Sequence, residues 1–293
     1  MTTKGATMTD LLYSNLFTTL SLRKVNGKEG GKDSRQVFVP GKKIQGFDLN
    51  FILGVFESPG DWAPEWGAHT HPFDELLVFF GYSNDLNYLG SEMELSMGKE
   101  REKHAFNSPV VVVAPSNLPH CPLITEKVYQ PFGHFHIALG ERYLKNQKRV
   151  EQEGTTDGNK YTHYFKKRVV LNGPGGPDAR QYVTMTGSDL EDMNVNITMS
   201  LFDIPGRWTT PAHIHPYDEV MVFFSLDQTY INHLGAEMTV EIGKEHEKHT
   251  FNLPTVIALP KGTPHCPIIC NRVDTPYAVM QIGLNSAYQS EAM

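Results

Sequence analysis

The sequence has only three cysteines, and two of them, Cys121 and Cys266, occupy the same position of an internal repeat. So few thiols do not make a disulfide framework, and this usage is typical of a cytoplasmic protein with reduced cysteines. Residues 1–24 also lack a basic segment followed by an unbroken apolar stretch, so they do not resemble a secretory signal. We therefore expect a cytoplasmic protein.

Long apolar stretches and basic clusters are absent as well. Purely apolar runs such as Val110 to Ala114 are far shorter than the roughly 18 residues that a membrane-spanning helix needs. The formal net charge is −7, and no basic stretch is interleaved with aromatic residues, so the electrostatic attraction that drives nucleic-acid binding is missing. We expect neither a membrane nor a nucleic acid as a partner, and a monomer or a small homo-oligomer.

No long stretch keeps the period of an amphipathic helix. Instead, short runs rich in β-branched and aromatic residues recur between turns that contain glycine or proline. This pattern predicts a nearly all-β chain that forms small barrels.

The chain also contains an internal duplication, in which the segment that begins at Arg35 matches the segment that begins at Arg180. At 293 residues, the chain is long enough for two ordinary domains, each with its own core. The predicted organisation is a first barrel with an N-terminal lead-in over residues 1–150, a polar linker over 151–160 and a second barrel over 161–293.

Each half carries the motif His-x-His-x-x-x-Glu, at His69–Glu75 in the first half and at His213–Glu219 in the second. Residues i and i+2 of a β-strand point to one face, and the carboxylate four residues further on keeps that parity. A distant histidine, His120 or His265, completes each set in a proline-containing segment. Three imidazoles and one carboxylate on one wall indicate a metal site, and the absence of a thiolate argues against a closed structural zinc site.

The segment before the distant histidine reads Pro-x-Gly-x-x-His in the second half, and the first half has Asn117 where the second has Gly262. This motif and His-x-His-x-x-x-Glu resemble the two signature motifs of the cupins. Because both occur twice and cover nearly the whole chain, the sequence resembles a bicupin. The resemblance implies an all-β fold of two tandem cupin-type barrels, each a double-stranded β-helix similar to a jelly roll, with a divalent transition metal. The implied metal ligands are His69, His71, Glu75, His120, His213, His215, Glu219 and His265.

The two halves differ most clearly at His134 and His136, which align with Val279 and Gln281. Two imidazoles on one strand face, present in only one half, are typical of a duplicated protein in which one barrel has become the catalytic one. In that barrel the imidazoles would transfer protons beside the metal. Exposed histidines on an edge strand would give the same pattern. We treat His134 and His136 as candidate catalytic residues of the first half. The second half, with its cleaner motif around Gly262, is the alternative active site.

Arg35 and Arg180 are further catalytic candidates, since an arginine inside a barrel can hold a substrate carboxylate. A surface ion pair is the alternative interpretation. Cys121 and Cys266 directly follow a predicted ligand, so the two-residue period of a strand turns them to the opposite face. We expect both cysteines to be buried packing residues.

The predicted sites favour a metal-dependent enzyme that binds a small organic molecule at an open coordination position. Fe(II) is the favoured metal, and with it we expect a dioxygenase, which is an oxidoreductase that also uses O2. Inward-facing Leu77 and Phe79 would give the pocket of such an enzyme an apolar wall. With Mn, Ni or Zn, the same ligands would support a decarboxylase, an isomerase or a lyase, and Cu is the remaining candidate metal. A non-catalytic bicupin that binds a small ligand or serves as storage protein is the third alternative.

Overall fold

The structure is a computed structural model that describes residues 11–25, 34–62, 67–140, 148–151, 158–167, 170–172, 179–208 and 211–293. In these ranges the chain forms a few short 3-10 helices, Ser14–Leu16, Gly41–Lys43, Thr162–Tyr164 and Gly187–Asp189, and 26 β-strands. No helix in these ranges is long and apolar enough to cross a membrane. The strands are β1 Phe17–Thr19, β2 Arg23–Val25, β3 Ser34–Val39, β4 Asn50–Phe56, β5 Gly60–Trp62, β6 His69–Thr70, β7 Asp74–Gly81, β8 Ser91–Met97, β9 Glu102–Phe106, β10 Val110–Ala114, β11 His120–Val128, β12 Phe132–Leu139, β13 Lys148–Arg149, β14 Phe165–Lys166, β15 Leu171–Asn172, β16 Gln181–Met185, β17 Asn196–Phe202, β18 Gly206–Arg207, β19 His213–Ile214, β20 Glu219–Ser225, β21 Ala236–Ile242, β22 Glu247–Phe251, β23 Thr255–Leu259, β24 His265–Val273, β25 Tyr277–Gly283 and β26 Glu291–Ala292.

The first compact unit, called the first barrel below, comprises the described residues of 21–169 together with 189–193. Its seven-stranded sheet has the order β14-β10-β7-β12-β4-β3-β2, and its six-stranded sheet has the order β13-β6-β11-β8-β9, with β5 paired to β11. Alternate side chains of the strands form its core, which includes Phe56, Phe79, Leu95 and Phe132. This arrangement places β6, β7, β11 and β12, which carry the predicted site residues, in neighbouring positions.

The second compact unit, the second barrel, comprises the described residues of 1–20, 170–188 and 194–293. Its sheets repeat the same order, as β1-β23-β20-β25-β17-β16-β15 and as β22-β21-β24-β19-β26 with β18 paired to β24. Its core includes Met221, Phe223, Met238 and Ile257. The predicted fold class, two tandem cupin-type β-barrels in one chain, is confirmed.

The described part of the predicted lead-in to the first barrel lies on the second barrel. Strand β1 pairs with β23, and the ring of Phe17 stacks on His249 at a centroid distance of 4.3 Å. The carboxylate of Glu247 accepts hydrogen bonds from the backbone N–H groups of Leu12 and Tyr13, each at 2.9 Å. The segment therefore gives the edge strand β23 a partner that would otherwise be missing.

Residues 158–167 make the same contacts on the first barrel. Strand β14 pairs with β10, Phe165 stacks on His104 at a centroid distance of 4.4 Å, and Glu102 accepts hydrogen bonds from the backbone N–H groups of Lys160 and Tyr161 at 3.2 and 3.1 Å. The predicted boundaries therefore differ from those of the structure, since the chain after residue 160 still belongs to the first barrel. Residues 152–157 of the predicted linker lie outside the described ranges.

Trp62 and Trp208 occupy equivalent positions in the two barrels, but among the described residues only Trp62 has a hydrogen-bond acceptor. The Nε1–H group of Trp62 donates to Oγ1 of Thr125 at 2.8 Å. Cys270 takes the place of this threonine in the second barrel, and Nε1 of Trp208 is buried without a hydrogen-bond partner among the described residues. A buried donor without an acceptor costs about 1–3 kcal/mol.

We expect the substitution Cys270→Thr to raise the free energy of unfolding by about 1 kcal/mol, because the new hydroxyl would accept the hydrogen bond from Trp208. The matched change Thr125→Cys should lower it by a similar amount, because it removes the acceptor of Trp62. Urea unfolding followed by tryptophan fluorescence measures both effects. Equal stability of both variants and the wild type would contradict this account of the two tryptophans.

Candidate metal centres

Three strands and one loop bring the ligands of the first barrel together. His69 in β6 and His120 in β11 are direct partners across the six-stranded sheet, and Glu75 lies in β7 of the other sheet. His71 lies in the short segment between β6 and β7. The side chains are all buried, and the ligand atoms of His69, His71 and His120 lie within 4.8 Å of one another.

Hydrogen bonds to the backbone determine which nitrogen of each imidazole faces this site. A carbonyl oxygen only accepts hydrogen bonds, so an Nδ1 atom that contacts one must carry the proton, and Nε2 then keeps its lone pair. The free nitrogens converge, with Nε2 of His71 only 3.3 Å from Nε2 of His120. The Nδ1 donors and their carbonyl acceptors are His69 with Gly67 at 3.0 Å, His71 with Phe73 at 2.8 Å and His120 with Leu118 at 3.0 Å.

The second barrel repeats this arrangement. His213 in β19 pairs with His265 in β24, and Nε2 of His213 lies 3.2 Å from Nε2 of His215. The ligand atoms of His215, Glu219 and His265 lie within 4.8 Å of one another. The Nδ1 donors and their acceptors are His213 with Pro211 at 2.9 Å, His215 with Gln289 at 2.6 Å and His265 with Thr263 at 3.0 Å.

The buried carboxylates fit a cation in the same space. Oε2 of Glu75 lies 2.8 Å from Nε2 of His71 and 3.4 Å from Nε2 of His120, yet both oxygens of Glu75 are buried without an oriented hydrogen bond from the described residues. With neutral imidazoles, lone pairs face lone pairs at these distances, which is unfavourable unless a proton or a metal cation lies between them. A divalent transition metal would satisfy three imidazoles and a carboxylate at once, and the donor set therefore fits the metal that the motifs predict.

The protonation of these groups also suits a metal. Burial and the neighbouring His120 lower the pKa of His69 to about 4, and burial lowers the pKa of His265 to about 4. Burial alone would raise the pKa of Glu75, but the imidazoles of His136, His120 and His71 outweigh it and hold that pKa well below its usual range. At neutral pH, His69 and His265 are thus neutral and Glu75 is ionised, which is the state that binds metal.

We expect the metal-free protein to lose stability as the pH falls from about 6.5 to about 4. In this window an unfolded chain binds a proton at His69, whereas the folded chain, in which the pKa of His69 is about 4, does not. The imidazole of His69 therefore disfavours the folded state by up to about 3 kcal/mol at the acidic end. Denaturant unfolding of chelated protein at several pH values measures this slope.

The matched variants His69→Asn and His233→Asn separate this effect from general acid sensitivity. His233 is exposed, so its replacement should leave the slope unchanged. Replacement of His69 should make the slope shallower. A slope that is the same in both variants would contradict the assignment to His69.

The structure brings one catalytic candidate, His136, into direct contact with the ligand set. Its Nε2 atom lies 2.9 Å from Oε1 of Glu75, the oxygen that does not face His71. In the second barrel, Nε2 of Gln281 occupies the equivalent position and donates to Oε1 of Glu219 at 3.5 Å. The two carboxylates are therefore held by an imidazole in one barrel and by an amide in the other.

His134 is buried deeper in the first barrel. Its Nδ1 atom donates to the carbonyl of Val78 at 3.2 Å, and its ring lies 4.5 Å from the ring of Phe79 and 5.0 Å from that of Trp62. The ring centroids of His134 and His136 are 6.0 Å apart. Neither residue is an exposed histidine of an edge strand, because β12 lies between β7 and β4.

The two arginine candidates form ion pairs at the surface. A guanidinium nitrogen of Arg35 lies 3.3 Å from Glu57, and one of Arg180 lies 2.9 Å from Asp203. Arg180 is exposed and Arg35 is half-buried. The prediction that they hold a substrate inside the barrels is therefore corrected, because each charge has an acidic partner that keeps it at the surface.

The two-residue period of a β-strand predicts the wrong orientation for the side chain of Cys266. The Sγ atom of Cys266 lies within 4.8 Å of ligand atoms of His213 and His265, instead of pointing away from them. Cys266 has a φ angle of +78°, and the pairing of β24 with β21 shifts register between Val240 and Ile242. Such an irregularity breaks the alternation of side chains, and the sequence carries no clear signal of it.

Two barrels of this topology, each with convergent imidazoles and a buried carboxylate at one wall, define the fold of a bicupin. The chain is similar in structure to oxalate decarboxylase from Bacillus subtilis at pH 4.6, with 11% identity, a TM-score of 0.59, and coverage of 94% of this chain and 78% of that chain.

Two other structures of oxalate decarboxylase agree, of which the second is from Bacillus subtilis. One, which concerns its substrate binding mode and a reaction specificity switch, has 11% identity, a TM-score of 0.60, and coverage of 94% of this chain and 79% of that chain. Another, which concerns its Mn(II) centres, has 12% identity, a TM-score of 0.57 and the same coverage, 94% and 79%. No protein-family model and no curated protein matches the chain. At this level of identity, the likeness establishes the bicupin fold.

Proposed function

We propose that this chain is a metal-dependent enzyme whose first barrel is catalytic, and that it acts as a decarboxylase or related lyase on a small organic acid. The observation that carries the proposal is the contact of 2.9 Å between Nε2 of His136 and Oε1 of Glu75. This contact places an imidazole, which can transfer protons, beside the ligand set of the first barrel. The second barrel has Gln281 at the same position, and an amide cannot transfer protons in this way.

The proposed metal ligands of the first barrel are His69, His71, Glu75 and His120. A bound divalent ion would polarise the carboxylate of the substrate as a Lewis acid. Mn(II) is the metal that we favour for this reaction, since one of the structurally similar oxalate decarboxylase structures concerns Mn(II) centres. Imidazole and carboxylate ligands also suit Fe(II), Ni and Zn.

In this proposal, His136 holds and moves the proton. The side chain of His136 is 17% exposed, whereas that of Glu75 is fully buried, so His136 is the member of the pair that can reach a bound molecule. A proton on Nε2 of His136, beside the carboxylate of Glu75, would be available for the carbon that loses CO2. His134, buried among Phe79 and Trp62, shapes the aromatic wall beneath this pair.

The proposed reaction is tested by supplying small mono- and dicarboxylic acids, oxalate included, to metal-loaded protein. We expect release of CO2 without an equivalent uptake of O2. The dioxygenase remains the second candidate, because the aromatic rings of Phe56, Trp62 and Phe79 line the interior of the first barrel and suit a partly apolar substrate. O2 uptake equal to substrate consumption, with phenols or keto acids as substrates, would favour the dioxygenase and contradict the decarboxylase.

We expect elemental analysis of purified, reconstituted protein to find close to two divalent metal ions per chain. Both barrels bring together buried donor groups that can hold a cation. A non-catalytic storage protein does not need either ion. Only trace metal after reconstitution would contradict metal binding and with it the proposed enzyme.

A further inference from the structure

We propose that the second barrel is a thiolate-containing metal site, in which Cys266 binds the metal together with His213 and His265. The ligand atoms of these three residues all lie within 4.8 Å of one another, and all three side chains are buried. This site does not depend on catalysis by the first barrel. It would give one chain two metal centres of different chemistry.

The backbone around Cys266 departs from regular strand geometry. Cys266 follows His265 immediately, and its φ of +78° lies in the left-handed region that few residues other than glycine adopt. The shift in register between β21 and β24 at the same place removes the usual alternation of side chains. Cys121 of the first barrel has a similar φ of +75°, so the assignment rests on the position of the Sγ atom of Cys266 among the imidazoles.

His265 belongs to two overlapping donor groups in this barrel. One consists of His213, His265 and Cys266, and the other of His215, Glu219 and His265. The two groups share His265, and between them they offer imidazole nitrogen, cysteine sulfur and carboxylate oxygen. Burial and nearby Glu219 raise the pKa of the Cys266 thiol to about 12, but a coordinating divalent ion deprotonates a thiol outright.

The first barrel differs in its donors. Among the described residues, the corresponding group there consists of His69, His71 and His120, without Cys121. Thiolate is a soft ligand that favours Zn2+ over Mn2+, whereas imidazole with carboxylate accepts the harder ions. We therefore infer that the second barrel selects Zn2+ and that the first barrel retains the open site for the harder catalytic ion.

Cobalt(II) is a suitable probe, because a thiolate ligand gives Co(II) a charge-transfer band in the near ultraviolet. We expect chelated full-length protein to develop this band on addition of Co(II). The band should be lost in Cys266→Ser and retained in Cys121→Ser, the matched variant of the first barrel. A wild type without the band, or a Cys266→Ser variant that keeps it, would overturn the proposal.

A second measurement does not depend on the folding of a cysteine variant. In a variant with both His69→Ala and His71→Ala, only the second barrel keeps its complete set of metal ligands. X-ray absorption at the zinc edge of the zinc-loaded variant then reports the ligands of that barrel. We expect one sulfur at about 2.3 Å beside nitrogen ligands at about 2.0 Å. A shell of nitrogen and oxygen alone would overturn the thiolate site, while leaving the proposed function of the first barrel unaffected.

Discussion

Replacement of Glu75 by glutamine is expected to lower kcat/KM by about 10³-fold or more, because it removes both the anion that binds the metal and the partner of His136. The carboxylate of Glu75 is fully buried and lies within 2.8 to 3.4 Å of nitrogens of His71, His120 and His136. The amide of glutamine has almost the same size but no charge. Steady-state kinetics, together with the metal content of each preparation, measures the effect.

The matched variant is Glu219→Gln, which makes the same change in the second barrel. Glu219 lies 3.4 Å from Nε2 of both His215 and His265, so its loss should weaken metal binding and lower stability there while turnover continues. Full activity of Glu75→Gln with its site empty of metal would rule out catalysis by the first barrel. Loss of activity only in Glu219→Gln would assign the reaction to the second barrel.

Replacement of His136 by glutamine is expected to lower kcat by about 10²-fold without loss of the metal. This change places in the first barrel the residue that the second barrel has at Gln281, so a polar side chain of similar size still faces the carboxylate of Glu75. Only the ability to transfer a proton is removed. The pH profile of kcat should change as well, which a purely structural role of His136 would not cause.

The reverse variant, Gln281→His, serves as the control for His136→Gln. It places an imidazole beside Glu219, and we expect the activity of the first barrel to remain unchanged. Wild-type kcat in His136→Gln would contradict a proton-transfer role. Loss of metal from that variant would instead identify His136 as a ligand.

The predicted barrels and ligand sets required only local patterns and their repetition. Alternating apolar runs report strands, because adjacent side chains of a strand face opposite sides. The repeat of His69–Glu75 at His213–Glu219 marks two copies of one domain, and the structure shows the same topology in both. The grouping of His71 with His120, which lie on different segments, was implied by the resemblance to the cupins, and the structure brings their Nε2 atoms together.

Other features depend on contacts between distant residues, which no local pattern reports. The segment around Phe17 docks on the second barrel because β23 has a free edge and Glu247 accepts the N–H groups of Leu12 and Tyr13. The equivalent segment around Phe165 docks on the first barrel in the same way. The likeness of the two segments is visible only once their contacts are known.

The sequence by itself determined that this protein is a pair of β-barrels with two His-x-His-x-x-x-Glu sets, since strand period and duplication are properties of the chain. Only the tertiary structure decided that His136 contacts Glu75, that Arg35 and Arg180 pair with acidic residues at the surface, and that Cys266 faces the imidazoles. The physical reason is that a single shift of register reverses the side chains that follow it, and that a charge takes the partner that the folded chain places beside it.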